Sequence, residues 1–509
     1  MSLNSALSIA TGGLANVDRM LALVSQNVAN ASTPGYAAEV GTQQSVSEAG
    51  NGMGVRTGLT TRQTDVALQA ETFRQNAVVA DLTTRQSALQ SLDAVQGAPG
   101  QGNDLGSLLG VLNNQFSTLL NQPNSQPAQS AVVGAASTFA SAINALSNAY
   151  TVQRNAAQNN LIDSAASANA ALHRIGSLSD QITALHAAGQ STADLENQRD
   201  AAVGTLSGLL NVKTLAIQNG DLLVVTSSGL TLPTRGPTAP FSVANANAGP
   251  QSSYASGTLP GVLLNGQDVT PRIIGGQMGA NIALRDATLP TYQAALDEFS
   301  QTLATRFSSQ GLTLFTDPTG AVPAGSGSPI QNTYVGFAAT IQVNPAVIAS
   351  PTLVRDGTLT IAGSATGASA FTPNPPGGPA GFSTLISRVL SYAMGHQAQS
   401  GVPQPAPNLS GLGPAGTLQA AVGVPAALSD FAASLVGSQA QDSAAVTSRL
   451  QAESAVGTSL SSKLSAETGV NMDSEMAAVV ALQSAYGINA RIISVAQTMW
   501  GQLLSAVHG

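Results

Sequence analysis

Apolar side chains recur along the first thirty residues at alternating steps of four and three. This spacing places them in one stripe on an α-helix, as in the seam of a coiled coil. A helix with so narrow a stripe needs a second helix to cover it. The stripe consists of Leu3, Leu7, Ala10, Leu14, Val17, Leu21, Val24 and Val28.

The same spacing returns at the opposite end of the chain. We therefore expect the two terminal helices to pack against each other. Asn489 is a polar residue within the second stripe, and a polar core residue in a coiled coil commonly fixes the register of the helices. The second stripe consists of Val479, Leu482, Tyr486, Asn489, Ile493, Ala496, Trp500 and Leu503.

Between the termini, helical periodicity dominates. The longest predicted helix carries apolar residues seven apart, among them Leu161, Ala168, Ile175 and Ile182, which is typical of helix packed on helix over many turns. Predicted helices span about 64–97, 105–120 and 128–188, another starts near 194, and helix resumes from about 417 with a break near 469.

Shorter alternating runs with Gly and Pro between them predict small β elements. The fold class is therefore mainly α with β, in an elongated multidomain protein. Residues 1–36 and 470–509 would form a terminal coiled-coil domain, and 37–232, 281–310 and 417–469 a helical-bundle domain with small β elements. Residues 233–280 and 311–366 would form a smaller β-rich outer region, and 367–416 Pro/Gly-rich loops around a short helix.

Charge is scarce along the chain. Charged residues make up 9% of the 509 residues, against about 25% in typical proteins. A surface so poor in charge has a weak electrostatic defence against self-association. The composition thus favours a subunit of an assembly.

The composition also excludes several classes of function. The net charge is −8, and the Arg residues are scattered singly, so no basic stripe is available for nucleic acid. Cysteine is absent, which rules out disulfides and thiolate metal sites. Polar residues interrupt every apolar stretch, so we expect no cleaved signal peptide and no membrane insertion.

No catalytic, cofactor-binding or metal-binding residues are predicted. The four His residues are isolated, and His173 and His186 would lie about 20 Å apart along one helix. Residues 411–416 match GxGxxG, but Pro414 stands inside the motif and a Pro-rich loop precedes it, where a dinucleotide site needs a strand.

Short motifs at both ends resemble the flagellar rod, hook and hook-associated axial proteins. Residues 29–36 read ANASTPGY, similar to the ANxxTPGY signature that follows the first helix in this family. Residues 474–491 resemble its closing segment, roughly EMxxLxxxQxAYxxNAR. The candidate residues of the first motif are Asn30, Thr33, Pro34, Gly35 and Tyr36.

Two internal segments resemble the hook-associated members of that family. Residues 194–200 read DLENQRD, similar to DLLDQRD, with Asn197 in place of the usual Asp. Residues 275–286 read GGQMGANIALRD, similar to GGxLGGLLxxRD, with Ala280 in place of the second Gly of the pair. The candidate residues are Gln198, Arg199, Asp200, Gly275, Gly276, Gly279, Arg285 and Asp286.

The resemblance implies a structural subunit, not an enzyme, that joins the flagellar hook to the filament. The terminal stripes would form the seam of a ring of identical subunits, and Arg199 and Arg285 would tie the second layer together. Implied partners are the hook protein, a second hook–filament junction protein and an export chaperone at the C-terminal helix. The location would be extracellular, after type III export. A hook or rod protein is the alternative, and a flagellar adhesin or a peptidoglycan-cleaving enzyme is more distant.

Overall fold

The computed structural model describes residues 3–48, 51–97, 100–236 and 239–508. Its helices are α1 Leu3–Asn30, α2 Val66–Gln96, α3 Leu105–Asn121, α4 Gln126–Ala187, α5 Ala193–Leu209, α6 Gly276–Ala283, α7 Leu289–Ser309, α8 Pro345–Ala349, α9 Leu353–Asp356, α10 Thr384–Arg388, α11 Leu428–Thr468 and α12 Met472–His508. Two π-helical turns, Leu284–Thr288 and Val389–Ala393, follow α6 and α10.

The strands are short apart from the first two. They are β1 Glu39–Glu48, β2 Asn51–Arg62, β3 Val212–Ala216, β4 Leu222–Thr226, β5 Thr231–Leu232, β6 Phe241–Val243, β7 Val262–Leu264, β8 Gln267–Asp268, β9 Phe315–Thr316, β10 Gln342–Val343, β11 Gln397–Gln399, β12 Val402–Pro403, β13 Ser410–Leu412 and β14 Leu418–Gln419. All pairings between these strands are antiparallel. The mainly α fold class with small sheets is confirmed.

Side-chain caps fix where the long helices begin. The Asp65 carboxylate accepts from Leu68 N before α2, and the Asp104 carboxylate accepts from Ser107 N before α3. Such caps satisfy backbone N–H groups that have no partner inside the helix. The bounds of α2, α3 and α4 lie within about two residues of those predicted from periodicity.

The helical body has one large apolar core around α3, α4, α7 and α11. Its aromatic side chains pack edge to face, as in Phe139 against Phe299 and Phe299 against Phe431. A second core joins α4 and α5 to the strands from β3 to β8. The 62-residue helix α4 contributes to both cores and therefore links them.

The structure corrects two of the predicted boundaries, one in the β-rich outer region and one at the start of the last helical stretch. Residues 311–366 do not form a β-rich outer region with 233–280, because Leu314, Phe337 and Ile341 are buried in the large helical core. This segment is mostly irregular backbone that joins the two-residue strands β9 and β10 and the short helices α8 and α9. Helix also resumes at Leu428 and not at 417, since β14 occupies part of the interval.

The segment after α1 is a long β-hairpin, although the sequence predicts only small β elements in this part of the chain. β1 and β2 pair from Glu39 opposite Arg62 to Glu48 opposite Asn51, with two register shifts. One face lies on α1, where a Cβ on Gly41 would come within 2.5 Å of Met20 Sδ. Polar residues dominate β1, so alternation alone could not reveal it.

Asp297 and Glu298 are buried, although their sequence suggests the polar face of a helix. Asp297 accepts from Gly336 N at 2.8 Å and Ala338 N at 2.9 Å, and burial raises its pKa to about 7. Glu298 accepts from Tyr334 Oη at 2.6 Å. Both carboxyl groups therefore fasten irregular loops to α7.

Three helical stretches are long and apolar enough to span a membrane by length and composition alone. They are Leu3–Asn30, Gln126–Ala187 and Leu428–Ala506. This corrects the expectation that no stretch is apolar enough. Alanine raises the hydropathy of these helices, and α4 uses its apolar side in the protein core.

Candidate assembly site

The two terminal helices form an antiparallel pair. Asn27 Nδ2 near the end of α1 donates to Glu475 Oε1 near the start of α12, at 2.8 Å. At the other end, Asn4 and Gln497 line the same apolar depression. The two termini therefore meet, as the matching stripes predict.

Most residues of the predicted seam lie between α1 and α12. Val17 and Val24 are buried, and the partly buried members are Leu3, Leu7, Leu14, Leu21, Val28, Val479, Leu482, Asn489 and Ile493. Narrow stripes on both helices explain why few of these side chains are fully covered.

Three predicted members of the seam lie outside its covered part. Tyr486, Trp500 and Leu503 are 42%, 48% and 57% exposed. The described part of α1 begins at Leu3, so it ends beside the level of Trp500 and does not reach Leu503. Ala485, which is partly buried, takes the inward position instead of Tyr486.

A glycine on α1 makes room for the polar residue in the stripe. A Cβ on Gly13 would lie 3.0 Å from Asn489 Oδ1, which is tighter than ordinary van der Waals contact. The Asn489 side chain therefore packs directly over the α1 backbone, and Gly13 has a steric reason to stand mid-helix.

A buried polar cluster joins the terminal pair to the body. We call it the polar junction and define it as Asn27, Tyr36, Glu39, Asn197 and Glu475. Asn27 Oδ1 accepts from Glu39 N and from Tyr36 Oη, at 3.0 and 3.2 Å. Asn197 on α5 accepts from Ala37 N through Oδ1 and donates to Ala37 O through Nδ2.

Arg62, at the end of β2, extends the polar junction onto α5. Its guanidinium contacts Glu196 Oε2 at 2.8 Å and Asp200 Oδ2 at 2.6 Å, and also donates to Asn197 Oδ1. The Arg62 side chain is only 12% exposed, so water screens these contacts less than at an open surface. The hairpin, α5 and both terminal helices are thus held at one point.

Glu39 makes the polar junction sensitive to pH. Burial and the nearby Asp194 carboxylate raise the pKa of Glu39 above its ordinary value of 4.5, against the opposing effect of Asn197 and Arg62. A raised carboxyl pKa means that stability is fully present at low pH and is lost as pH rises through the folded value. Glu39→Gln should therefore flatten the pH dependence of unfolding above 4.5, measured by thermal melts.

The exposed Glu467→Gln serves as the control for that experiment, because it changes the same chemical group outside the junction. It should leave the pH profile of the parent protein unchanged. A Glu39→Gln profile that keeps the parent slope would show that the Glu39 carboxyl does not titrate in this way.

The motif after α1 forms a tight turn that leads into the junction. Thr33, Pro34 and Gly35 are exposed, and Gly35 has φ +77°. Thr33 N donates to Asn30 O, and Tyr36 N donates to Thr33 O. The turn reverses the chain so that Tyr36 enters the buried cluster.

The motif at 194–200 makes one contact at the surface and two contacts that are buried. Gln198 Nε2 donates to Asp194 Oδ2 on the same helix, and Asp200 binds Arg62. Arg199 is buried and donates to Gly220 O at 2.7 Å, the turn between β3 and β4. Arg199 therefore secures a turn of the body.

The glycine pair of the motif at 275–286 lets α6 approach α5 closely. Gly275 and Gly276 have φ of +75° and +66°, a conformation that strains other residues. A Cβ on Gly276 would lie 2.5 Å from Leu209 O, and one on Gly279 would lie 3.0 Å from the Ile274 carbonyl carbon. The motif is thus a backbone packing site.

Gly276→Ala should destabilise the body more than the backbone strain alone predicts. The positive φ costs an alanine about 1–2 kcal/mol, and the overlap with Leu209 adds about 1–3 kcal/mol. Urea unfolding followed by circular dichroism measures the total. Gly229→Ala is the matched control, because Gly229 has φ +77° with open space around it. If both variants lose the same free energy of unfolding, the overlap with Leu209 does not destabilise the protein.

Two buried arginines hold the outer region. Arg285 is fully buried, binds Asp286 at 2.7 Å and donates to Gln158 Oε1 and Pro260 O. Arg154 on α4 donates to the backbone oxygens of Arg285, Gly249 and Ser252. Burial lowers the pKa of Arg154 to about 10, so it is charged at neutral pH.

Sequence reasoning missed the residues that join the elements. The apolar stripes and the family motifs assign no role to Asn27, Arg62, Asn197 or Arg154. A signal was present for Asn27, because it is a polar residue on the inner side of an apolar helix. Arg62 and Arg154 are single arginines without a local pattern.

The described residues contain no group of three His, Asp or Glu side chains placed to hold a metal ion. The site combines an exposed apolar helix pair, a polar junction and a long helical body. An exposed apolar helix pair of this kind is typical of a protein that assembles with other chains.

Two family models match the chain. Residues 89–321 match the flagellar hook-associated protein FlgK helical domain, and 465–506 match the flagellar basal body rod FlgEFG protein C-terminal family. These matches confirm the resemblance to hook-associated proteins of the FlgK family that the sequence motifs indicate. That family is one of structural flagellar proteins.

A curated relative and a solved structure are similar over part of the chain. Flagellar hook-associated protein 1 of Bacillus subtilis is 25% identical over 240 residues, 44% of this chain and 46% of the relative. The structure of the flagellar hook junction protein FlgK from Burkholderia pseudomallei is 22% identical, with a TM-score of 0.40, and covers 50% of this chain and 46% of that one. The chain thus spans about half the length of each.

Proposed function

We propose that this protein is a structural subunit that joins the flagellar hook to the filament and assembles as a ring by helix–helix packing. The match of residues 89–321 to the FlgK helical domain carries this proposal. That match covers the body from the end of α2 through α7, which separates the chain from the rod and hook proteins that share only its ends.

The surface of α12 supports assembly with further copies. Large apolar side chains are exposed along its whole length in the single chain, from Met476 at 54% to Leu504 at 50%. Contiguous exposed apolar surface of this kind marks interaction sites. The low charge of the chain removes the repulsion that would oppose packing between copies.

The proposed partners follow the layers of the flagellum. The terminal helices would contact the hook protein on one side and the second junction protein, FlgL, on the other. An export chaperone would cover the apolar C-terminal helix before assembly. The protein would act outside the cell, after export by the flagellar type III apparatus without a cleaved signal.

A hook or rod axial protein is the alternative, since residues 465–506 match a rod and hook family. A flagellar adhesin and a peptidoglycan-cleaving enzyme are more distant. Glycan-binding and peptidoglycan-turnover assays on the purified protein separate these from a junction protein, for which both assays should give no signal.

Electron microscopy of a deletion strain tests the proposed function. We expect intact hooks without filaments, and flagellin released into the medium. Expression of the chain from a plasmid should restore attached filaments. Absent hooks would indicate a rod or hook protein, and normal filaments would contradict a junction role.

A further inference from the structure

Two β-turns of the protein carry the same Asn-Gly pair in a similar backbone conformation. Asn219 and Gly220 lie between β3 and β4, and Asn265 and Gly266 lie between β7 and β8. All four residues have positive φ, at +76° and +79° in the first turn and +49° and +80° in the second. Both Asn side chains are exposed. The two turns are therefore a matched pair, and they differ in how the rest of the chain holds them.

An Asn-Gly pair carries the atoms of a covalent reaction within itself. The backbone N of the glycine attacks Cγ of the Asn side chain, the new C–N bond closes a succinimide ring, and the side-chain nitrogen leaves as ammonia. Water then opens the ring and leaves either aspartate or isoaspartate. Glycine favours the attack, because it has no Cβ to block the approach and its backbone turns freely. The ring closes only after rotation about the Cα–C bond of Asn, so a turn that is held firmly reacts slowly.

The body of the protein holds the β3–β4 turn firmly. Buried Arg199 donates from Nη1 to Gly220 O at 2.7 Å. A Cβ on Gly220 would lie 2.9 Å from Ile182 Cγ2, so the turn lies close against α4. Five residue pairs join β3 to β4 behind the turn. The backbone between Asn219 and Gly220 therefore cannot rotate without breaking these contacts.

The β7–β8 turn has no comparable hold. A Cβ on Gly266 would meet no atom within 4 Å, and among the described residues no side chain donates to Gly266 O. Two residue pairs join β7 to β8. Asn265 N donates to Pro240 O at 2.8 Å, but this bond leaves the Cα–C bond of Asn265 free to rotate. Opening of so short a hairpin breaks few contacts and is therefore frequent.

We infer that Asn265 is a site of spontaneous deamidation, and that Arg199 protects the equivalent Asn219 from the same reaction. The reaction consumes only water and releases only ammonia, so it needs no enzyme. It replaces a neutral amide with a carboxylate in the outer region and so adds one negative charge to the chain. The isoaspartate product also lengthens the backbone of the turn, which disturbs the register of β8 against β7.

The modified turn lies next to a contact that fastens the outer region. On β8, Asp268 accepts from Thr270 Oγ1 at 2.7 Å and from Tyr254 Oη at 3.1 Å. A change in the register of β8 would move Asp268 and weaken its bond to Tyr254. The outer region of an old copy would therefore differ from that of a new copy in charge and in the fastening of the segment around Tyr254.

Ageing of the full-length protein tests this inference. The purified protein is incubated at mildly alkaline pH, where the glycine N attacks faster, and below its unfolding temperature. Peptide mass spectrometry measures conversion at each site by a mass gain of about 1 Da and by separation of the aspartate and isoaspartate forms. We expect the rate at Asn265 to exceed the rate at Asn219 by about tenfold or more. The peptide with the remaining pair, Asn51 and Gly52, is measured separately.

Two synthetic peptides supply the control for sequence. Peptides of residues 216–223 and 262–269 contain the same reactive pair without the fold, so their rates should be similar. The ratio of the peptide rate to the protein rate then measures the protection that the fold gives each site. We expect this ratio to be small for Asn265 and at least about tenfold larger for Asn219.

Arg199→Lys tests the protective contact. Lysine keeps the positive charge but lacks the planar guanidinium that reaches Gly220 O. The rate at Asn219 should rise by about tenfold toward that of its peptide, while the rate at Asn265 should not change. Arg174→Lys is the matched control, because Arg174 is exposed on α4 and should alter neither rate. Circular dichroism checks that each variant is folded.

Equal protection of Asn219 and Asn265 in the parent protein would overturn the inference, and this comparison needs no variant. An unchanged Asn219 rate in folded Arg199→Lys protein would overturn the protective role of Arg199. If that variant does not fold, Arg199 is tested instead by hydrogen exchange at Gly220 N, which should be slower than at Gly266 N in the parent protein. Exchange at equal rates would contradict the protection.

Discussion

A chain carrying Leu482→Asp and Ile493→Asp is expected to fold its body but to build no junctions. Both side chains are partly buried between α1 and α12. Each substitution places an unpaired carboxylate in the apolar seam, at a cost of several kcal/mol. The terminal pair cannot absorb this loss, since its stripes are narrow and its helices contain glycines.

Two measurements separate the seam from the body. Circular dichroism and urea unfolding should show a folded helical body in the double variant, while swarming of the complemented deletion strain should be lost. Gln483→Asp with Ser494→Asp is the matched control, because both positions are exposed on the same helix. A swarming strain with the seam variant would contradict the role of the α1–α12 pair in assembly.

Arg154→Met should release the outer region from α4 and lower stability by about 3 kcal/mol or more. Methionine keeps much of the apolar stem but donates no hydrogen bond. The backbone oxygens of Arg285, Gly249 and Ser252 would lose their donor in a buried place. Such unsatisfied groups cost more than a surface contact of the same kind.

Limited proteolysis and urea unfolding measure this effect. We expect early cleavage within 244–260 and a lower unfolding midpoint. Arg174→Met is the matched control, because Arg174 is exposed on the same helix and should change the midpoint little. Equal midpoints for the two variants would show that the Arg154 contacts do not hold the outer segment.

The polar junction is the structural connection between the α1–α12 pair, which the seam variant disrupts, and the body, which the Arg154 variant destabilises. It connects the terminal pair, which we propose contacts other subunits, to the body that matches the FlgK helical domain. Glu475 of α12 and Asn197 of α5 both reach it through Asn27 and the segment after Tyr36. Strain at the subunit contacts would pass to the body through these side chains.

The sequence by itself determined the regular parts of this protein. The stripes at both ends specified the α1–α12 pair, because apolar residues at a repeat of 3.5 can be covered only by another helix. Helical periodicity with Gly or Pro breaks specified the bounds of α2, α3 and α4 to within about two residues. The motifs at 29–36, 194–200 and 275–286 carried the resemblance to the flagellar axial proteins.

Only the tertiary structure decided where single polar residues act. Asn27, Asn197, Arg154 and Arg285 each contact backbone from distant parts of the chain, and no local period records such a contact. The segment 311–366 enters the helical core as irregular backbone, which alternation cannot predict. The burial of Asp297 and Glu298 likewise depends on loops that fold over α7, since a carboxylate on a helix looks the same in sequence whether water or backbone N–H groups face it.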